Sequence, residues 1–225
     1  METSNNSLPQ KPLFIGGLVV TVLIIIIGVN FVFRKPAEAP TTDTSVQPET
    51  SSNVNKETAD VDTIPAYTGR PITEVRPGAG FSVSESVIRG KSNDLNLLAG
   101  ALALNPENID DWMAVGTIKK FFNDYEGARD AWEYITLISP NHAQAYANLG
   151  NVYGFYLGDN KKAEAYYKKA IASSLVEATY YLDLAAFYSD VIKDEQRAIE
   201  TIEEGLKNIP NDENLKLLLE ALKTG

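Results

Sequence analysis

The 225-residue chain contains no cysteine and a single histidine, His142. The missing thiols exclude a disulfide framework, a thiolate metal site and a cysteine-anchored lipoprotein. A hydrolase or transferase ordinarily needs a positioned nucleophile, a base and a polarising group. His142 follows Pro140 and Asn141 between two repeating units and reads as an exposed turn residue. The acid pairs Asp110-Asp111 and Glu203-Glu204 are helix neighbours that point in different directions, so they share no site. No metal-ligand spacing appears, and Gly78-Ala79-Gly80 is too short for a phosphate loop and lacks a following Gly-Lys-Ser/Thr. Positive charge is also in deficit, 20 Lys and Arg against 30 Asp and Glu for a net −10, which argues against a nucleic-acid surface. These absences predict no enzyme, no cofactor and no small-molecule substrate.

What is present is a period. Small residues Ala128, Ala163 and Ala198 recur at intervals of thirty-five, each followed four residues on by a bulky one, Trp132, Tyr167 and Ile202. Earlier in each copy stand Trp112, Tyr146 and Tyr181, then Val115, Leu149 and Leu184, then at once Gly116, Gly150 and Ala185. Apolar residues at three- and four-residue steps make each copy two amphipathic helices. The small positions mark where the helices of a pair approach closely, at interaxial distances of roughly 8–10 Å. Pro140 and Pro210 punctuate the units, because proline cannot extend a helix. Copies two and three hold one extra residue, most simply placed in the turns Leu157 to Asn160 and Asp190 to Asp194, where an insertion costs little.

On these residues the stretch from Trp112 to Pro210 resembles the tetratricopeptide repeat, whose signature is an aromatic, Leu-Gly, Tyr, Ala, a bulky residue and a closing Pro. Three departures stand out: Lys119 where Tyr is usual, Ala185 for the Gly, and Leu175 for the closing Pro. The resemblance implies an all-α fold, a right-handed α-solenoid of about three helix pairs, with repeats at 109–140, 143–175 and 178–210. A single helix of an incomplete repeat is expected within 92–106, opened by Asn93 or Asp94, and a capping helix at 212–223, because a repeat cannot bury its apolar face alone. The repeat domain is thus expected to span 92–225.

Ahead of it the chain divides by composition. After a polar tail, 1–12, residues 13–33 run without a charge, enough for about 32 Å of helix against a hydrocarbon core of roughly 30 Å. The run reads as an N-terminal transmembrane helix. The rival is a cleaved signal peptide with Ala37-Glu38-Ala39 as its site, disfavoured by the length of the run, by Arg34 and Lys35, and by Pro40. Lys11 on one side and Arg34 with Lys35 on the other nearly balance the positive-inside rule. The arrangement resembles bacterial envelope proteins that hold repeat domains outside the cytoplasmic membrane, which implies an extracytoplasmic, single-pass protein. Residues 34–64, rich in Ser, Thr, Pro and acids, are expected to be a disordered tether. Residues 65–91 hold Tyr67, Ile72, Val75 and Phe81 among prolines and glycines, and are expected to pack in extended form on the repeats, or else to occupy their groove.

The resemblance also implies where a partner sits. First helices of such pairs line a concave face that accepts a peptide or partner helix. Helical phase puts Met113, Thr117 and Lys120 there from the first unit, Gln144, Ala147, Asn148, Asn151 and Phe155 from the second, and Thr179 and Asp183 from the third. Asn148 and Asn151 occupy places where this family bonds a ligand backbone. The cations that hold acidic chaperone tails in one subfamily are missing, and from Ser92 onward 12 Lys and Arg face 21 Asp and Glu. A neutral to basic, partly apolar protein or peptide is therefore the expected partner. The expected function is a membrane-tethered scaffold; the alternative is a structural subunit of an envelope or secretion complex whose repeat face is permanently buried.

Overall fold

The computed structural model describes residues 64–224; the tail, the apolar run at 13–33 and the tether through residue 63 lie outside the described residues. Described here are eight helices and no strand: α1 Glu85–Leu104, α2 Ile109–Phe121, α3 Tyr125–Ile138, α4 Ala143–Phe155, α5 Asn160–Ser173, α6 Ala178–Ala186, α7 Glu195–Asn208 and α8 Glu213–Thr224. A π-helical segment, Phe187–Ile192, prolongs α6. Each helix packs on the next, and α4 also touches α6. The pairs α2–α3, α4–α5 and α6–α7 are the three repeating units. Among the described residues no helix is long and apolar enough to cross a membrane.

The small-and-bulky rows close each pair as steric locks. A methyl group on Gly150 would come within 2.7 Å of the Tyr167 ring, and one on Gly116 would strike the Trp132 indole. Trp132, Tyr167 and Ile202 are in turn at most 1% exposed. One further device repeats, and it explains the missing proline. Trp112 Nε1 donates to Pro106 O at 2.8 Å, the Tyr146 hydroxyl to Pro140 O, and the Tyr181 hydroxyl to Leu175 O at 3.1 Å. What the aromatic needs at the end of the preceding unit is a backbone carbonyl, which any residue supplies; leucine serves as well as proline.

The turns within pairs share a second device. Each second helix is capped by an aspartate, Asp124, Asp159 or Asp194, whose carboxylate accepts from an N–H three residues on. The residue before each is left-handed: Asn123 (φ 58°), Gly158 (φ 71°) and Lys193 (φ 63°). The aspartate N–H closes the turn on Lys119 O, Tyr153 O and Tyr188 O, five residues back in the first copy and six in the others. That difference is the extra residue. In the second copy it sits in the turn before Asp159, as expected; in the third it is drawn into the π-helical segment, so helix geometry rather than the turn absorbs it. Lys193 carries a Cβ in left-handed backbone, which costs about 1–2 kcal/mol relative to right-handed geometry. Lys193→Gly is therefore expected to stabilise the third repeat by about 1 kcal/mol, read as a higher urea midpoint; no change would mean the turn bears no strain.

The helix expected to open at Asp94 opens at Glu85. Gly80 is the last strong breaker of the preceding segment; Gly90 falls within the helix and is merely tolerated there. Asn93 and Asp94 are thus interior residues, and residues 85–91 are helical rather than extended. Residues 64–84 form an irregular strap. Tyr67 packs its ring at 4.6 Å from Trp112 and 5.5 Å from Tyr134, whose hydroxyl donates to Pro65 O. Arg70 N donates to Asp130 at 3.0 Å, and Arg70 Nη1 to the Asp124 carboxylate at 2.7 Å. Gly78 N bonds Phe122 O at 2.8 Å, a site where a Cβ would strike the Asn123 backbone. Phe81 closes the strap against Phe121 and Phe122.

These contacts explain Lys119. In the other copies its place holds Tyr153 and Tyr188, packed against second-helix side chains. Here the ammonium, 2% exposed, donates to the strap carbonyls of Pro71, at 3.0 Å, and Glu74. The strap's partners above lie on α3, on the α2–α3 turn and at Trp112, Lys119 and Phe121 of α2, and none of these contacts involves Met113, Thr117 or Lys120. The alternative that it fills the first-helix groove is corrected accordingly: its tyrosine and its carbonyls find partners elsewhere.

Candidate functional site

Helices α2, α4 and α6 stand in sequence as the first members of their pairs, and the residues expected on their shared face take distinct roles. Three of them converge. Lys120 Nζ donates to Asn151 Oδ1 at 2.6 Å and stands 5.6 Å from the centroid of the Tyr156 ring, which stacks at 4.1 Å on Tyr125. Asp183, half-buried on α6, feels the Lys120 charge. Burial pushes its carboxyl up to about 6, with Lys120 opposing the rise. Burial likewise lowers Lys120, with Asp183 opposing the fall.

The others are spread along the same helices. Gln144 Nε2 donates to Asn148 Oδ1 at 3.2 Å, one turn apart on α4. Thr117 turns its hydroxyl back to Met113 O on its own helix, while Met113 is half-buried against the core. Phe155, 37% exposed, presents its ring to solvent at the end of α4. Thr179 is engaged by the Glu177 carboxylate that caps α6, at 2.8 Å. Ala147, expected on the open face, is only 2% exposed. His142, expected as an exposed turn residue, is half-buried and caps α4, its Nδ1 accepting from Ala145 N at 3.1 Å.

Two members of the site were not foreseen. Tyr167 was read as the bulky residue of its repeat, and its ring fills that role against Gly150 and Phe187. Its hydroxyl, however, is buried beside the Asn151 amide, outside ordinary hydrogen-bond distance of any partner. Tyr156, just beyond α4, supplies the ring beside Lys120. The signal for either would have required knowing how the three pairs stack. Among the described residues no group of three or more His, Asp or Glu side chains is placed to hold a metal ion. The arrangement offers donors, acceptors and aromatic faces for holding a ligand.

Comparison with known proteins bears on the middle unit. No curated protein matches the chain in sequence. Among solved structures the crystal structure of MamA is similar, with a TM-score of 0.48 and 19% identity over 64% of this chain and 91% of that one. The tetratricopeptide repeat family matches residues 143–174, the span of α4 and α5. Over its length the pair α4–α5 is thus similar in sequence to the tetratricopeptide repeat.

Proposed function

We propose that the chain is a protein-interaction scaffold, and that α2–α3 and α6–α7 are repeats of the same kind as α4–α5. Its first-helix face binds an extended segment or helix of a partner protein, neutral to basic and partly apolar. The run at 13–33 anchors it in a membrane, residues 34–63 serve as a tether, and the repeats stand outside the cytoplasmic membrane of a bacterial cell. The binding residues are Met113, Thr117, Lys120, Gln144, Asn148, Asn151, Phe155, Thr179 and Asp183. The observation that carries this reading is the division of faces. The strap is held by Asp130 of α3 and by Lys119, whereas Lys120 and Asn151, on successive first helices, bond each other outside those contacts. Acidic composition favours a partner of opposite charge.

Site-specific photocrosslinking of the full chain in intact cells tests it. A photoreactive residue at Thr117, Asn148 or Thr179 is expected to capture one common partner, whereas the same residue at Lys168 or Glu200, exposed on second helices, captures it at least tenfold less. Equal capture from both faces would remove the groove from the proposal. Capture of another copy of this chain alone would replace the scaffold by a structural subunit. The partner's identity also reports the compartment.

A further inference from the structure

The last turns of α1, residues 97–104, read Leu-Leu-Ala-Gly-Ala-Leu-Ala-Leu, without a polar side chain. A helix that is apolar all round belongs in an interior, yet α1 packs on α2 and no described helix precedes it. Leu95 and Leu102 are buried, whereas Leu97 and Leu104, on the opposite side of the helix, are 75% and 90% exposed. The other end of the stack is finished differently: α8 turns Glu213, Asn214, Glu220 and Thr224 to solvent beside one large apolar residue, Leu217. A stack of repeats needs polar outer faces at its ends, so the outer stripe of α1 is a surface built to be covered.

The chain ahead of the strap does not supply the cover. Residues 34–63 bring only Val46, Val54 and Val61 as large apolar residues, among Pro, Ser, Thr and acids. The run at 13–33 is apolar on every side, so laying one face on α1 would leave the others bare.

The matching shape is α1 itself. Turned end for end about Leu97, a second α1 sets Leu97 against Leu97, Leu104 over Gly90, and Ala101 beside Asn93. A Cβ placed on Gly90 or Gly100 would have nothing within 4 Å, so each glycine is an open notch on the helix surface. A bulky residue seated over glycine is the lock that closes the repeats, at Gly116 with Trp132 and at Gly150 with Tyr167. A parallel pair would instead oppose glycine to glycine and leave a void there. Charge agrees with the antiparallel arrangement. The charged residues of α1 are Glu85, Arg89, Lys91 and Asp94, which cancel, in a chain of net −10, so this face meets its own copy without the repulsion between acidic surfaces. End for end, Arg89 of each copy reaches the carboxyl end of the other α1, whose last turn holds no cation and which Glu107 follows.

We propose that the chain pairs with a second copy through antiparallel α1 helices, on a two-fold axis at Leu97. The seam from Gly90 to Leu104 is about 21 Å long, short for a permanent dimer, so the pair exchanges with monomer. It uses none of the residues assigned to partner binding and stands apart from that reading.

Because the chain has no cysteine, one introduced thiol reports the contact. With the full chain in neutral detergent micelles under mild oxidation, Leu97→Cys is expected to crosslink to itself at least tenfold faster than Leu217→Cys, which is exposed on α8. Asn93→Cys mixed with a size-tagged Ala101→Cys is expected to crosslink between the two, and each alone at least tenfold less. Self-crosslinking at Asn93→Cys would make the pair parallel and overturn the arrangement. Equal crosslinking at positions 97 and 217 would overturn the interface. In sedimentation velocity, Leu97→Asp is expected to weaken self-association at least tenfold. Its urea midpoint is expected to match that of the parent, because the residue is exposed. Self-association that survives Leu97→Asp places the contact elsewhere and defeats the proposal, as does a parent chain that stays monomeric at about 100 μM. A midpoint lowered in Leu97→Asp would make Leu97 a residue of the fold and count equally against the pairing.

Discussion

Trp132→Ala is expected to destabilise the protein by about 3–5 kcal/mol, the range for emptying a buried aromatic site. Trp132 is 1% exposed, and its indole lies against the Gly116 backbone, with no room for even a methyl group between them. The small residue exists because the ring is there, so truncating the ring leaves a void that rigid helix backbone cannot fill. Repeat arrays store stability in each unit and in its contacts with its neighbours, so the loss falls on the first repeat and its seams with α1 and α4. Urea unfolding followed by circular dichroism, with trypsin cleavage mapped at Lys119 and Arg129, reads both the size and the place of the effect. The indole N–H provides a control, since it is buried without a partner. Trp132→Phe therefore forfeits volume but no hydrogen bond, and is expected to cost no more than about 1.5 kcal/mol. An alanine variant within 1 kcal/mol of the parent would show that the ring is not the wedge between helices.

The second large effect is expected at Lys119→Met, with a loss of about 3 kcal/mol, the lower end for removing one member of a buried charged pair. The ammonium is the donor for two strap carbonyls, those of Pro71 and Glu74, and lies 3.6 Å from Asp124. Methionine matches its length and supplies no donor, so both carbonyls are left inside the fold without partners. Asp124 keeps Arg70 at 2.7 Å, which is why the cost is not larger. The distinguishing consequence is local. The strap carries Tyr67 and Phe81, and chymotrypsin is expected to cut there at least tenfold faster in the variant while α4 to α7 stay intact. Lys119→Tyr, which restores the residue type of Tyr153 and Tyr188, is expected to release the strap in the same way. Unchanged cleavage in both variants would mean that Tyr67 and Arg70 alone hold the segment.

The helices and their pairing were legible from local rules alone. A period of thirty-four or thirty-five and glycine or alanine opposite a bulky residue specify which faces meet, because side chains three and four apart share a face whatever lies beyond. Lys119 shows where that legibility ends: as a sequence it is a flaw in the pattern, and only the strap's carbonyls, more than forty residues away, make it necessary. The start of α1 at Glu85 and the π-helical segment after α6 were likewise hidden, since tolerated glycine and added length have several local solutions of similar energy. Lys120, Asn151 and Asp183 could each be placed on a face in advance. That Lys120 meets Asn151, with Asp183 near enough to feel the Lys120 charge, was decided by how the pairs stack, because the distance between residues far apart in sequence is set by packing across the whole stack and by nothing written near either residue.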